Sequence, residues 1–144
     1  MDAPLPSAPA EPVAAPRPVA WIDLALRLVP AAIMAQTLWF KFSAAPEPVW
    51  IFEQLGAEPW GRIGTGLAEA LAVVALLLPS TAALGGLLTA GLMAGAVGSH
   101  LAVLGIEVQG DGGALFAMAL VSLACGALLA WRRRAQLPLV GGGR

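Results

Sequence analysis

Residues 61–104 read GRIGTGLAEALAVVALLLPSTAALGGLLTAGLMAGAVGSHLAVL, and this stretch decides the fold. It contains two apolar runs, 61–78 and 81–104, each about twenty residues long, which is the length that a helix needs to cross the hydrocarbon of a bilayer. Only Pro79 and Ser80 separate the two runs. A connection this short makes the two helices antiparallel neighbours. The stretch therefore predicts a transmembrane helical hairpin.

Two further apolar runs, 22–42 and 112–131, lie on either side of the hairpin. Of the 144 residues, 58% are apolar and 12% are charged, a composition that excludes an ordinary soluble domain. Lipid offers the backbone no hydrogen-bond partner, and the runs lack the alternation of barrel strands, so each span is expected to be a helix. The sequence predicts an all-α integral membrane four-helix bundle over residues 21–131.

The first segment of the chain, residues 1–20, has a different composition from the spans. It contains six of the twelve prolines and lacks the basic start of a secretory signal. Proline removes backbone donors, and the segment has little apolar bulk to offset the entropy of ordering. We therefore expect a disordered tail rich in Pro and Ala.

The distribution of Lys and Arg predicts the orientation in the membrane. With the N-terminus in the cytoplasm, the inner side carries six of these residues and the outer side carries two. The inner six are Arg17, Arg27, Arg132, Arg133, Arg134 and Arg144, and the outer two are Lys41 and Arg62. Because cytoplasmic loops are enriched in Lys and Arg, we expect both termini in the cytoplasm, with residues 132–144 as a basic cytoplasmic tail.

The segment PEPVWIFEQLGAEPWG, residues 46–61, connects the first two spans. It is too polar to cross the membrane and too aromatic for a free loop. We predict a short interfacial helix over 48–55, with its apolar side chains on the outer membrane surface or against the bundle. A lid over an outward-facing pocket is the alternative, and the sequence does not separate the two.

Polar side chains from three different spans are predicted to meet in the outer half of the bundle. Lys41 lies at the outer end of the first span and Gln36 about one turn deeper, whereas Glu69 and His100 lie about 12 Å and about 7 Å deep at the helical rise. A charged residue at depth costs about 3 kcal/mol on insertion scales, so it normally faces a partner, a cavity or water. These four residues are the candidate ligand or proton pocket.

Three of these residues also have a structural alternative. Glu69 could be protonated and hydrogen-bonded to another helix. Lys41 could extend its long stem to the interface as an anchor. His100 could be an interhelical donor, or could relay protons or bind a headgroup together with Glu69.

Other kinds of site are poorly matched by the sequence. One His and one Glu make an incomplete set of metal ligands, no hydrolase constellation accompanies the single imidazole, and no basic cluster suggests nucleic acid. The single cysteine, Cys125, excludes an internal disulfide or a CxxC pair and is expected to be a small packing residue. The stripe of Gly91, Gly95 and Ser99 predicts a face where another helix can approach closely.

Three segments resemble the DoxX-like family of small bacterial membrane proteins. They are LWFKF at 38–42, IFEQLGAEPWGRIGTGLAEALAVVALLLP at 51–79 and MAGAVGSHLAVLG at 93–105. The resemblance implies a four-helix membrane fold and, for some members, a link to thiosulfate or quinone redox complexes. Lys41, Glu69 and His100 fall where the family pattern carries its Lys-Phe, glutamate and histidine. The chain lacks the cysteine pair that relatives with thiol exchange would use.

The functional expectation combines this resemblance with the polar cluster. We expect an accessory subunit of a membrane redox complex in the bacterial cytoplasmic membrane, with a pocket for a quinone or a lipid headgroup. Other redox subunits would be its partners, and a homo-oligomer is compatible with the sequence. The alternatives are a quinone-linked oxidoreductase that uses reduced sulfur donors, with Glu69 and His100 moving protons, and a small-molecule carrier.

Overall fold

The structure, a computed structural model, describes residues 18–137, and their side chains from residue 20 onward. Every regular element in this part of the chain is a helix. The elements are α1 Pro18–Phe42, α2 Pro46–Gln54, α3 Trp60–Leu77, α4 Ala82–Ser99 with a π-helical turn His100–Leu104, α5 Ala114–Arg132 and a 3-10 turn Arg134–Gln136. The predicted all-α class is confirmed for the described residues.

Four helical stretches are long and apolar enough to cross a membrane: Ala20–Phe42, Trp60–Leu77, Ala82–Leu104 and Ala114–Arg132. They agree with the four predicted spans to within a few residues. α1 begins at Pro18, inside the segment expected to be a tail, because proline fits the first turn of a helix, where its missing donor is not needed. The rest of that predicted tail, and residues 138–144 of the basic tail, lie outside the described residues.

The four long helices pack side by side in the ring order α1, α3, α4, α5 and back to α1. α3 and α4 form the hairpin predicted from the short connection. α2 lies across one end of the ring, in contact with α1, α3 and the π-helical turn. We call this end the Lys41 end and the opposite one, where α1 begins, the Asp23 end.

Glycine permits the closest helix approaches, and these lie toward the Asp23 end. A Cβ added to Gly85 would lie 2.6 Å from the backbone nitrogen of Leu76, and one added to Gly86 would lie 2.7 Å from the carbonyl oxygen of Gly126. Side chains at these positions would therefore force α4 away from α3 and α5. Small residues let helix backbones approach in this way.

The predicted contact stripe on α4 is not a contact face. A Cβ added to Gly91 or Gly95 would meet nothing within 4 Å, and both glycines are exposed. The prediction chose the wrong glycines of α4, because those that contact other helices are the adjacent Gly85 and Gly86, a turn or more earlier and on other faces of the helix. α4 thus packs tightly near the hairpin and leaves open space beside it further along.

Polar side chains join the helices at the Asp23 end. The Asp23 carboxylate accepts hydrogen bonds from Arg132 at 2.9 Å and Arg133 at 3.1 Å, which ties the start of α1 to the end of α5. Arg27 donates from Nε to the carbonyl oxygen of Leu76 at 2.6 Å, and so satisfies an unpaired carbonyl at the end of α3. These arginines therefore connect the ends of neighbouring helices.

Candidate functional site

A cavity of about 690 Å³ lies at the Lys41 end, and all five helices contribute to its lining. The four residues singled out in the sequence, Gln36, Lys41, Glu69 and His100, all line it. The structure therefore brings side chains from α1, α3 and the turn after α4 to one space. This convergence follows from the ring packing, because α1 and α4 end at the Lys41 end and α3 begins there.

The most polar part of the wall joins α1 to α3. The Lys41 ammonium pairs with Oε1 of Glu69, and Thr37 Oγ1 lies 3.1 Å from Oε2 of the same carboxylate. Glu69 is only 5% exposed. A charge at this depth needs a partner, so Lys41 turns inward to the carboxylate instead of reaching to the interface as an anchor.

A second ion pair, between Arg62 and Glu58, lies next to the first. Arg62 donates from Nη2 to Oε1 of Glu58 at 2.7 Å and from Nη1 to the carbonyl oxygen of Lys41. It thereby connects the end of α1 to the first turn of α3 and fixes the backbone that carries Lys41. The sequence analysis treated Arg62 only as an orientation marker, and its spacing of four residues from Glu58 was the signal for this pair.

His100 occupies the opposite wall and is 6% exposed. Its Nδ1 lies 2.8 Å from the carbonyl oxygen of Gly105, and its ring meets Phe116 edge to face, with centroids 5.5 Å apart. A carbonyl only accepts, so Nδ1 carries a proton, and Nε2 of the neutral ring has a lone pair. His100 opens the π-helical turn, a local distortion often found at functional sites.

Asp111 also lines the cavity, and the sequence analysis missed it. Its Oδ1 accepts from the backbone nitrogens of Val108 and Gly113, both at 2.8 Å, and its Oδ2 accepts from that of Leu115 at 2.9 Å. These bonds hold the pKa of Asp111 below its ordinary value, and the bond from Leu115 has the largest effect, with that from Val108 next. The sequence GDGG before an apolar run was the available signal for this helix start.

Gln36 completes the predicted set on the α1 wall, where its Nε2 donates to the sulfur of Met118 at 3.3 Å. Lys41 and Glu69 are thus the only two of the four that bond directly to each other within residues 18–137. Glu69 and His100 share the cavity but are not hydrogen-bonded to each other in this part of the chain. A direct contact between them, which the sequence made an option, is not found.

The short helix α2 covers the cavity. It was predicted over 48–55 and is found at Pro46–Gln54. Ile51 and Phe52 from α2, with Leu55 just after it, line the cavity, as does Glu47 in its first turn. Of the two alternatives for this segment, its position in the structure corresponds to the lid.

The remainder of the lining is mostly apolar or small. Ile33 and Phe40 of α1, Leu92 of α4 and Leu115 of α5 contribute aliphatic and aromatic surface. The exposed Gly91 and Gly95 belong to the same lining, together with Ser99. The stripe expected to contact a helix therefore borders the cavity instead.

The chemistry available here is binding and proton exchange, from one ion pair, one imidazole with a free lone pair and one amide. Among residues 18–137 no group of three or more His, Cys, Asp or Glu side chains could hold a metal ion. Cys125 is half-buried on α5, outside the lining. Comparison with protein-family models, curated proteins and solved structures found no match to this chain.

Proposed function

We propose that the chain is a four-helix bundle of the bacterial cytoplasmic membrane that serves as an accessory subunit of a redox complex and holds a quinone or lipid headgroup in its cavity. The proposal keeps the DoxX-like resemblance as its guide to the redox partner. The observation that carries it is the cavity itself, where Gln36, Lys41, Glu69 and His100 line one space of about 690 Å³. Ligand sites are commonly of this volume, with apolar walls and a few convergent polar groups.

The placement of tryptophan supports a membrane location. Trp21 and Trp131 are exposed at the Asp23 end, and Trp39 and Trp60 are exposed at the Lys41 end. Trp21 and Trp39 are separated along α1 by about 27 Å at 1.5 Å per residue, close to the thickness of the hydrocarbon. Tryptophan prefers the two membrane interfaces, so these four rings mark both boundaries.

Charge supports the orientation. The Asp23 end carries Arg27, Arg132, Arg133 and Arg134 within the described residues. Positive residues favour the cytoplasmic side, so the cavity would open toward the outer half of the membrane. The electrons for any redox reaction would come from a partner, because the chain has one cysteine and hence no thiol pair of its own.

Purification with bound ligand tests this proposal. A tagged chain would be extracted in mild detergent, its lipids analysed for quinone, and its co-purifying proteins identified. We expect a bound quinone or lipid at a fixed ratio and a redox subunit among the partners. Gly95→Leu, which adds a side chain to the cavity lining, should lower the ratio, whereas Cys125→Ala should leave it unchanged. A ligand-free monomer with equal recovery from every variant would refute the proposal.

The oxidoreductase alternative rests on one observation, namely that Glu69 and His100 line the same cavity. A ligand or water between them would be needed to pass a proton, because neither residue bonds directly to the other within the described chain. Turnover with a reduced sulfur donor and a soluble quinone in proteoliposomes would support this activity. The absence of turnover by the isolated chain, with quinone bound, would favour the accessory role.

A further inference from the structure

The Lys41 end of the molecule is strongly acidic. Residues 41–111 contain six carboxylates and only two cations, Lys41 and Arg62. Both cations are already paired, Lys41 with Glu69 and Arg62 with Glu58. The four carboxylates left over are Glu47, Glu53, Glu107 and Asp111. The excess at this end is therefore four negative charges.

Part of this excess faces the cavity. Glu47 and Asp111 both belong to the lining, on the lid and at the start of α5. A cleft with low-dielectric walls focuses the field of the charges around it. A headgroup in the cavity would therefore experience a negative potential, even though the Lys41 ammonium also lines the cavity.

Several polar groups that line the cavity have acceptor atoms left for a ligand. His100 donates from Nδ1 to Gly105, which leaves the lone pair of Nε2. Gln36 uses its amide nitrogen on Met118, which leaves its amide oxygen. Glu47 is exposed and adds a carboxylate. The Lys41 ammonium and the Gln36 amide nitrogen each donate to one protein partner, whereas these acceptors have no hydrogen-bond partner among residues 18–137.

We propose that the cavity selects amphiphiles whose headgroup donates hydrogen bonds and carries no net negative charge, with an ammonium head bound best. This inference rests on the proposed function of the cavity as an amphiphile site and specifies its ligand class. Each unit of headgroup charge is expected to change affinity roughly tenfold. This is about the effect that Coulomb's law gives for a headgroup charge about 10 Å from one net charge of the protein, at an effective dielectric constant near 20. Anionic heads such as a fatty-acid carboxylate are therefore disfavoured.

A series of ligands with one tail and three heads tests the selection. Dodecylamine, dodecanol and dodecanoate would compete with a radiolabelled dodecylamine for the chain in nanodiscs of zwitterionic lipid. At about pH 8.5 the amine is protonated and the acid is ionised. We expect affinity in the order amine, alcohol, acid, with roughly tenfold between neighbours. Adding phosphatidylethanolamine to the nanodiscs distinguishes two sources of the ammonium ligand. Competition by this lipid would indicate that the ligand is a membrane lipid, and no competition would indicate that it is a free amine.

Two matched variants place the charge effect on the lid. Glu47→Gln removes a carboxylate that lines the cavity, and Glu53→Gln removes one that lies on the same helix outside the lining. Glu47→Gln should weaken dodecylamine binding several-fold and leave dodecanol unchanged, whereas Glu53→Gln should have the smaller effect of a distant, screened charge. Both positions are exposed, so folding should be preserved.

The outcomes separate this inference from the proposed function. Dodecanoate binding as tightly as dodecylamine, or equal effects of the two glutamate variants, would overturn the charge selection while leaving the cavity as an amphiphile site. Equal binding of all three ligands to the wild type and to Gly95→Leu would show that the cavity does not bind amphiphiles. In that case the proposed function fails as well.

Discussion

Glu69→Gln should be among the most destabilising single substitutions at the Lys41 end. The Glu69 side chain is 7% exposed and that of Lys41 is 14% exposed, so the change leaves an ammonium group largely buried beside a neutral amide. Removing one partner of a buried pair costs about 3–5 kcal/mol. Lys41 lies within the last two residues of α1 and can turn toward the interface, which recovers part of that cost. We expect a loss of about 2–3 kcal/mol.

The assay is reversible unfolding in mixed micelles, followed by far-UV circular dichroism. Lys41→Met combined with Glu69→Leu removes both charges and should recover most of the stability, because an apolar pair of similar volume needs no desolvation. Together with the single variants Lys41→Met and Glu69→Leu, this double variant completes a double-mutant cycle that should show a coupling of about 2 kcal/mol. Thr37→Val is the matched control, which removes a hydroxyl that lies 3.1 Å from the same carboxylate and 2.8 Å from the carbonyl oxygen of Met34, and it should cost about 1 kcal/mol. A Glu69→Gln cost below about 0.5 kcal/mol, or strict additivity, would refute the buried-pair argument.

Three more predictions concern topology, packing and pH. Cysteines introduced singly at Ala57 and Gly142 should react with an impermeant thiol reagent in intact cells only at 57, and labelling at 142 would overturn the orientation. Gly86→Leu should lower the unfolding midpoint sharply because a Cβ there meets the backbone of α5, whereas Gly91→Leu should change it little; equal losses would contradict the packing. Asp111 has a lowered pKa when folded, so its contribution is complete above its ordinary value of 3.8 and is lost as the pH falls through the folded value. The protection factors of the amides at the start of α5, which relate the measured exchange rates to the intrinsic rates at each pH, should therefore fall at acid pH in the wild type and be lower and unchanged by pH in this range in Asp111→Asn.

The sequence predicted the helices well because membrane length and apolarity are local properties. The run 61–104 indicates a hairpin by itself, since a connection of two residues cannot join parallel spans. The cluster of Gln36, Lys41, Glu69 and His100 could also be expected, because helical rise converts residue number into depth. Depth alone does not give the rotation of each helix. Hence the sequence could not distinguish a Lys41 pair from a Lys41 anchor, or show that Glu69 and His100 lie on separate parts of the wall.

Asp111 and α2 illustrate a second limit. Asp111 accepts hydrogen bonds from three backbone donors. The sequence GDGG could have indicated a helix start, but the three bonds depend on the conformation of the loop, which the sequence does not give. The lid was visible as a short helix, but its amphipathic sequence is equally suited to a membrane surface. Only its contacts with α1, α3 and the π-helical turn place it over the cavity.

The cavity exists because some glycines of α4 contact a neighbouring helix and others do not. Gly85 and Gly86 meet the backbones of α3 and α5, so the ring is tight near the hairpin. Gly91 and Gly95 have the same residue type and a regular spacing, yet no helix packs on them. Their lack of side chains therefore enlarges a space instead of closing an interface. The charged pair and the imidazole border that space. Glycine therefore brings the helices together at one end of α4 and leaves the cavity open at the other.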